Sequence, residues 1–284
     1  MAREIVVGVD GSPPATAAVE WAALDARRRG RNLRLVHVCE EWPHQHTGKT
    51  GDTKYCSEIL EVAADRARAL TEGVKITTDP VTGPVAPSLI TAAAGADSLV
   101  IGSRGLGGFT GLVMGSVSMA VAGHADGPVV VVRGGTPIQH GRIVVGYDGS
   151  DHAKAAMEYA IEQARARDAE LHVVYGWTMP AYTPYAIAYD VLIEDVMREE
   201  AAAAAKRVAP WREQNPDVRI TDEQRCEHPV SLLIEASRTA DLVVVGSRGR
   251  GGLAAAVLGS VSHGVLHHVV APVAVVRPRR KEEA

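Results

Sequence analysis

At 284 residues the chain is long for one domain and comfortable for two, and its 46% apolar content suffices to bury a sizeable core. A formal charge of −4 without long basic blocks excludes broad polyanion binding, so nucleic acid is not an expected partner. No apolar run approaches the roughly 18 residues that a membrane span requires, and the opening MAREIVVGVD enters a strand-like run at once, so no signal peptide is expected.

Ile5–Val9 is a short β-branched run and predicts the first strand. Ser12 is placed to cap a helix with Pro13 in its first turn, and Val19, Trp21, Ala22 and Leu24 give that helix an apolar face up to Gly30. Leu33–Val38 predicts a second strand. PHQHTGKTGDTKYC, Pro43–Cys56, has almost no apolar content and reads as an exposed loop. A helix is expected at Ser57–Leu70, a third strand at Val74–Thr78, a helix at Pro87–Ala94 and a fourth strand at Leu99–Ile101. Ser116–Gly123 predicts a helix and Val129–Val132 a fifth strand. Strands follow in the second half at Ile143–Tyr147, Leu171–Tyr175, Val218–Thr221, Leu242–Val245 and Val273–Val276. Its long loop, TMPAYTPYAIAY, carries tyrosines where the first half has histidines and glycines.

Strands apolar at every position and separated by helices imply a parallel sheet covered on both faces. The expected fold is α/β, with two tandem doubly wound domains at residues 1–134 and 141–278 and a seam at RGGTPIQHG, Arg133–Gly141. The halves are a duplication. IVVGVDGS (Ile5–Ser12) returns as IVVGYDGS (Ile143–Ser150), 138 residues later. VIGSRGLGGFTGLVMGSVS (Val100–Ser118) returns as VVGSRGRGGLAAAVLGSVS (Val244–Ser262), 144 residues later. HADGPVVVVR (His124–Arg133) has its counterpart in HHVVAPVAVVRP (His267–Pro278).

The repeated loop has the pattern Gly-x-x-Gly, nine residues, then Gly-Ser: Gly102, Gly105, Gly115 and Ser116, then Gly246, Gly249, Gly259 and Ser260. Each copy starts at the carboxyl end of a buried strand and ends where a helix begins, the place where α/β sheets bind ligands. Glycines let a backbone approach an anion, and free N–H groups of the following helix favour a phosphate. A tight strand-to-helix turn is the alternative reading. The pattern is neither a Walker A loop, since no GKS or GKT follows, nor the GxGxxG dinucleotide turn, which belongs after the first strand. At that first strand end stand Asp10 and Asp148. An aspartate there accepts hydrogen bonds from ribose hydroxyls, holds Mg²⁺ near phosphates, or caps the next helix. Gly8 and Gly146, just inside the strand, allow close approach of a ligand.

These motifs resemble the ATP-binding branch of the universal stress protein family, once per half and over essentially the whole chain. The resemblance implies a five-stranded parallel sheet of order 3-2-1-4-5 in each half and pairing through the fifth strands, Val129–Val132 and Val273–Val276, within the chain and between chains of a homodimer. It implies a triphosphate on Gly105, Gly115, Ser116, Val117 and Ser118, and on Gly249, Gly259, Ser260, Val261 and Ser262. Ser103, Arg104, Leu106, Gly107 and Gly108, with Ser247, Arg248, Arg250, Gly251 and Gly252, complete the two loops. Asp10 with Gly102, and Asp148 with Gly246, would hold the ribose, and adenine would lie near Val38 and Tyr175. The implied ligand is ATP, with ADP and AMP as alternatives, and Mg²⁺ carried mainly by the phosphates near Asp10 and Asp148. Gly83 aligns with Glu227, so the approach to the third helix differs between halves and equal affinity of the sites is not expected.

Other features carry less. Cys39, Cys56 and Cys226 are odd in number and far apart, so neither a disulfide framework nor a CxxC site is expected, and a reduced, cytoplasmic compartment is the plain reading. His263 and His267 have i, i+4 spacing but no neighbouring carboxylate or cysteine, so solvated helix surface is expected there. RRRGR, Arg27–Arg31, and the tail PRRKEEA read as solvated charge. Neither glycine loop contains a lysine, and no nucleophile–base constellation is legible. The resulting expectation is a nucleotide-binding, stress-response regulatory protein that answers to an unidentified protein partner. A slow ATPase or adenylate-handling enzyme, and a scaffold with empty sites, are the competing classes.

Overall fold

Strand and helix alternate through both halves. The first runs β1 (Glu4–Gly8), α1 (Pro13–Arg29), β2 (Asn32–Cys39), α2 (Thr50–Leu70), β3 (Ile76–Thr82), α3 (Val85–Ala92), β4 (Ser98–Gly102), α4 (Ser116–His124) and β5 (Pro128–Val132). The second runs β6 (Arg142–Gly146), α5 (Asp151–Arg167), β7 (Glu170–Trp177), α6 (Asp190–Gln214), β8 (Ile220–Cys226), α7 (Pro229–Ser237), β9 (Leu242–Gly246), α8 (Ser260–His268) and β10 (Val273–Val276). The computed structural model describes residues 4–39, 50–106, 114–134, 139–178, 190–251 and 257–279, with the backbone alone at 50–53 and 190–194.

All ten strands form one sheet of order β3-β2-β1-β4-β5-β10-β9-β6-β7-β8. Each half is parallel and has the order 3-2-1-4-5. The two halves meet where β5 and β10 pair antiparallel, Val131 opposite Val273 and Val129 opposite Val275. Both edges of β5 and β10 are therefore used within the chain, which corrects the expectation that the fifth strands also join two chains: they present no free edge. The open edges are β3 and β8, where Pro80 in one and Asp222, Glu223 and Arg225 in the other discourage further pairing.

The strands between the two edges are buried on both faces. Ile5, Val7 and Val145 point to the side covered by α1, α2, α5 and α6, and Val6, Val131 and Val275 to the side covered by α3, α4, α7 and α8. Helix α1 starts as its sequence dictates: the Ser12 hydroxyl accepts from the Ala15 N–H (3.3 Å), and the helix stops at Gly30 with φ 60°. Helix α5 repeats the first device, with Ser150 accepting from Ala153 N–H (3.2 Å). It stops at Asp168, which holds φ 51° although it is not glycine.

Several boundaries differ from expectation. β3 and β8 extend to Thr82 and Cys226, beyond their apolar starts, because edge strands are half exposed and tolerate polar residues. Helix α3 sits two residues earlier than expected. Helix α2 begins at Thr50, inside the polar stretch taken for a loop, and Cys56 on it is buried. Cys39 and Cys56 are joined as a disulfide, contrary to the expectation from their spacing, because the end of β2 and the inner face of α2 meet in space. His44, His46 and the tyrosine-rich loop fall outside the described residues.

RRRGR is solvated charge only in part: Arg27 is exposed, but Arg29 is not. The Arg29 side chain is only 2% exposed and reaches Asp25 (3.2 Å), Asp97 (2.7 Å) and Glu162 (2.8 Å). Asp25, fully buried on α1, also accepts from Arg167 (2.8 Å) and Gln163 (3.3 Å) on α5. Asp25 and Gln163 are the same position of the repeat, as are Arg29 and Arg167, and Trp21 and Tyr159. Arg29 lies 5.6 Å from the Tyr159 ring centroid and Arg167 5.4 Å from that of Trp21, so the contact is nearly symmetric. Two buried carboxylates face to face would repel; the chain places a carboxylate opposite an amide instead. Burial opposes charge on Arg29, but Tyr159 and the carboxylates of Asp25, Asp97 and Glu162 outweigh it and raise its pKa.

Replacing Asp25 with alanine leaves Arg29 and Arg167 without their shared buried counter-charge, and a loss of about 3–5 kcal/mol in urea unfolding is expected. Asp168→Gly relieves the left-handed backbone at the end of α5, and a gain of about 0.5–1 kcal/mol in the same assay is expected.

Candidate functional site

The chain leaves β1 toward α1 on one face of the sheet and leaves β4 toward α4 on the other. Between these neighbouring strands a crevice must open at their carboxyl ends. A cavity of about 910 Å³ lies there, with Gly8, Asp10, Gly102 and Gly105 among its lining residues. Its counterpart, of about 430 Å³, is lined by Gly146, Asp148, Gly246 and Gly249 among others.

Each aspartate ties two turns together. Asp10 Oδ1 accepts from the Ser12 N–H (2.9 Å) and Oδ2 from the Leu106 N–H (3.1 Å), across 96 residues of sequence. Asp148 accepts from the Ser150 N–H (3.0 Å) and the Arg250 N–H (3.0 Å) in the same way. The capping role is thus taken by Ser12 and Ser150, and the carboxylates fasten the glycine loop to the β1–α1 turn.

The glycines are explained in part by the protein's own atoms. A Cβ on Gly102 would stand 2.7 Å from the Pro14 carbonyl carbon, and one on Gly246 2.8 Å from that of His152. A Cβ on Gly105 or Gly249 would meet the aspartate carboxylate at 2.4 or 2.7 Å. At Gly115 and Gly259 the nearest atoms are 3.4 and 3.3 Å away. These two occupy the N-cap positions of α4 and α8, where no side chain caps the first turn. The N–H groups of Ser116, Val117 and Ser118, and of Ser260, Val261 and Ser262, precede the first intrahelical bonds, Met119 to Gly115 (3.1 Å) and His263 to Gly259 (2.9 Å).

The predicted side chains divide into two groups. Ser116 and Ser260 are exposed and line the cavities, with Val117 and Val261 beside them. Ser118 and Ser262 are buried, and their hydroxyls donate inward to the carbonyls of Gly102 (2.8 Å) and Ser247 (3.1 Å). Ser103 and Ser247 are buried under the loops and line neither cavity; Ser247 Oγ lies 2.8 Å from His152 Nδ1. Arg104 and Arg248 line their cavities, and the Nε of Arg248 is buried without a hydrogen-bond partner among the described residues. Leu106 is 65% exposed. Gly251 borders the second cavity, and Gly107, Gly108 and Gly252 lie outside the described residues.

Both residues expected near adenine border a cavity, Val38 the first and Tyr175 the second. Strand register makes Gly176, not Tyr175, the counterpart of Val38, while Tyr175 corresponds to His37. Val38 lines the first cavity. Across the repeat, the chain before α7 packs onto Gly176 so tightly that a Cβ there would stand 2.7 Å from Pro229 Cα. In the first half Gly83 holds φ 139°, a conformation its counterpart Glu227 does not share, and the chain takes a different path into α3. Tyr175 faces Arg207, 4.5 Å from its ring centroid, and its hydroxyl reaches Glu200 at 3.5 Å. Tyr55, Ile59, Leu89 and Met114 also line the first cavity; no local motif marked them, because they reach it from α2, α3 and the loop before α4.

Burial, reinforced by the Arg248 and Arg277 guanidinium groups, holds the His152 imidazole below the ordinary histidine value. The unfolded chain therefore binds this proton at a higher pH than the folded one. Stability is expected to fall as pH drops through about 6.5 toward the lower folded value, and less so in His152→Asn. Urea midpoints measured from pH 7.5 to 5.5 on both proteins check this.

The universal stress protein family model matches residues 1–133 and again residues 140–277. A universal stress protein of Mycobacterium tuberculosis H37Rv is 34% identical over 300 residues, covering 96% of this chain and 94% of the relative. One from Mycolicibacterium smegmatis is 33% identical over 296 residues, with 97% of each covered. The solved structure of a universal stress protein from Archaeoglobus fulgidus shares the fold, with a TM-score of 0.70 at 21% identity over 99% of this chain and 98% of its own. No helix among the described residues is long and apolar enough to cross a membrane. With the family pattern repeated over two segments that fill one continuous sheet, this chain belongs to the universal stress protein family and carries its domain twice.

Proposed function

We propose that the protein binds ATP at the carboxyl ends of β1 and β4, and more weakly at the ends of β6 and β9, and that the nucleotide acts as a regulatory signal. The observation that carries this reading is the uncapped first turn of α4, opening into a cavity floored by Gly8 and Gly102. Phosphate oxygens satisfy such N–H groups, and the helix dipole favours their charge. The buried Nε of Arg248 gives the second cavity a donor without a partner, which suits an anion. Ser116 and Ser260 add hydroxyl donors, Asp10 and Asp148 accept from ribose hydroxyls, and the apolar wall beside Val38 suits a purine. Mg²⁺ is carried mainly by the phosphates, near Asp10 and Asp148. The ligand signals by favouring one conformation or partner complex over another.

Titration calorimetry with Mg·ATP, ADP and AMP, together with identification of nucleotide released on denaturation, tests the reading. Two unequal ATP sites separated by about tenfold or more in Kd are expected. Val38→Trp fills the base end of the first cavity and is expected to remove the tighter site while leaving the weaker one. Absence of binding by any of the three nucleotides overturns the proposal. Phosphate release at a substantial rate moves the function to ATP hydrolysis.

A further inference from the structure

The first cavity holds a cluster that nucleotide binding does not use. His37 and Cys39 lie two residues apart on β2, so their side chains leave the same face of the strand. Cys56, 4% exposed, is brought onto that face by α2. A ring nitrogen of His37 and the two Sγ atoms all lie within 4.8 Å of one another. His37 is 8% exposed, and its Nδ1 stands 2.7 Å from the Val9 carbonyl oxygen. A carbonyl only accepts, so in the neutral ring Nδ1 carries the proton and Nε2 keeps its lone pair. Metal-binding histidines are commonly fixed by this kind of backbone bond to the other nitrogen.

We propose that, when the Cys39–Cys56 disulfide is reduced, His37, Cys39 and Cys56 bind Zn²⁺. Two thiolates and an imidazole are the donors zinc prefers over Mg²⁺, and three protein ligands leave a fourth position open to the cavity. The disulfide and the zinc site are alternative states. A dithiol reductant breaks the Sγ–Sγ bond, giving two thiols as the reductant becomes its own disulfide. Zinc then displaces the two thiol protons and shields the sulfurs from reoxidation. The duplication supplies an internal control: the counterparts of His37 and Cys39 are Tyr175 and Trp177, so the second half has no such site.

The test uses the full chain, reduced with dithiothreitol and desalted anaerobically. His263 and His267, whose rings lie 4.6 Å apart on α8, are changed to glutamine to remove a surface pair that also takes zinc. Zn²⁺ is titrated against a chromophoric chelator, and Co²⁺ is added separately as a spectroscopic probe. One equivalent of zinc per chain and a thiolate-to-cobalt charge-transfer band are expected, and neither in the oxidised protein. Cys56→Ser and His37→Gln should each weaken zinc binding by at least about tenfold. His37→Gln keeps both cysteines, and its ability to re-form the disulfide reports an intact strand end. The proposal is overturned if the reduced chain takes up no zinc, if cobalt gives no thiolate band, or if Cys56→Ser binds zinc as tightly. The cobalt spectrum of a chain with all three ligands decides the matter even where a substituted one fails to fold.

Discussion

The four-residue antiparallel ladder between β5 and β10 sets the geometry of everything else. Without it each half would end in an exposed, wholly apolar edge strand, the kind of edge that invites uncontrolled pairing. With it, two parallel sheets become one, and the join imposes a local two-fold relation on the repeat. Arg133, just past β5, donates to the Leu266 carbonyl of α8, and Arg277, just past β10, donates to the Gly123 carbonyl of α4. The same relation brings α1 against α5, so that a repeated position meets its own copy. Asp25 opposite Gln163 is what that demands: one acceptor charge shared by two arginines, faced by an amide that donates to it.

The two strand-end cavities follow from the parallel halves. Each aspartate holds the first residues of a loop from after β4 or β9 against the turn after β1 or β6. Rigid donors bind at lower entropic cost than donors that must first be ordered. The two sites share this latch and differ at their far ends. Val38 borders open space, whereas the Glu227–Pro229 segment closes on Gly176. The duplication thus kept the glycine-loop end of each cavity and let the end beside β2 and β7 diverge. The same divergence gave the first half alone a histidine and two cysteines around that end of its cavity.

The sequence by itself determined the duplication, the parallel α/β class and the strand-end position of both glycine loops. Those features rest on local rules: unbroken apolar runs, a serine before a proline-led helix, glycine at fixed spacing after a strand. Even the placement of aspartates at the ends of β1 and β6, where both crevices open, was legible, because position along a parallel strand carries the information. The limits of β3, β8 and α2 were less legible, since an edge strand and a half-exposed helix start satisfy polar residues as readily as apolar ones.

Tertiary structure alone decided what long-range contact decides. It turned Ser118 and Ser262 inward to carbonyls, gave Asp10 and Asp148 a partner 96 and 102 residues away, and buried Arg29 from a run that composition reads as solvent-facing. It joined Cys39 to Cys56 and packed the Glu227–Pro229 segment onto Gly176. The physical reason is common to all of these. A side chain's local pattern fixes which face of its own element it occupies, but burial, pairing and charge compensation depend on what another element brings to that face.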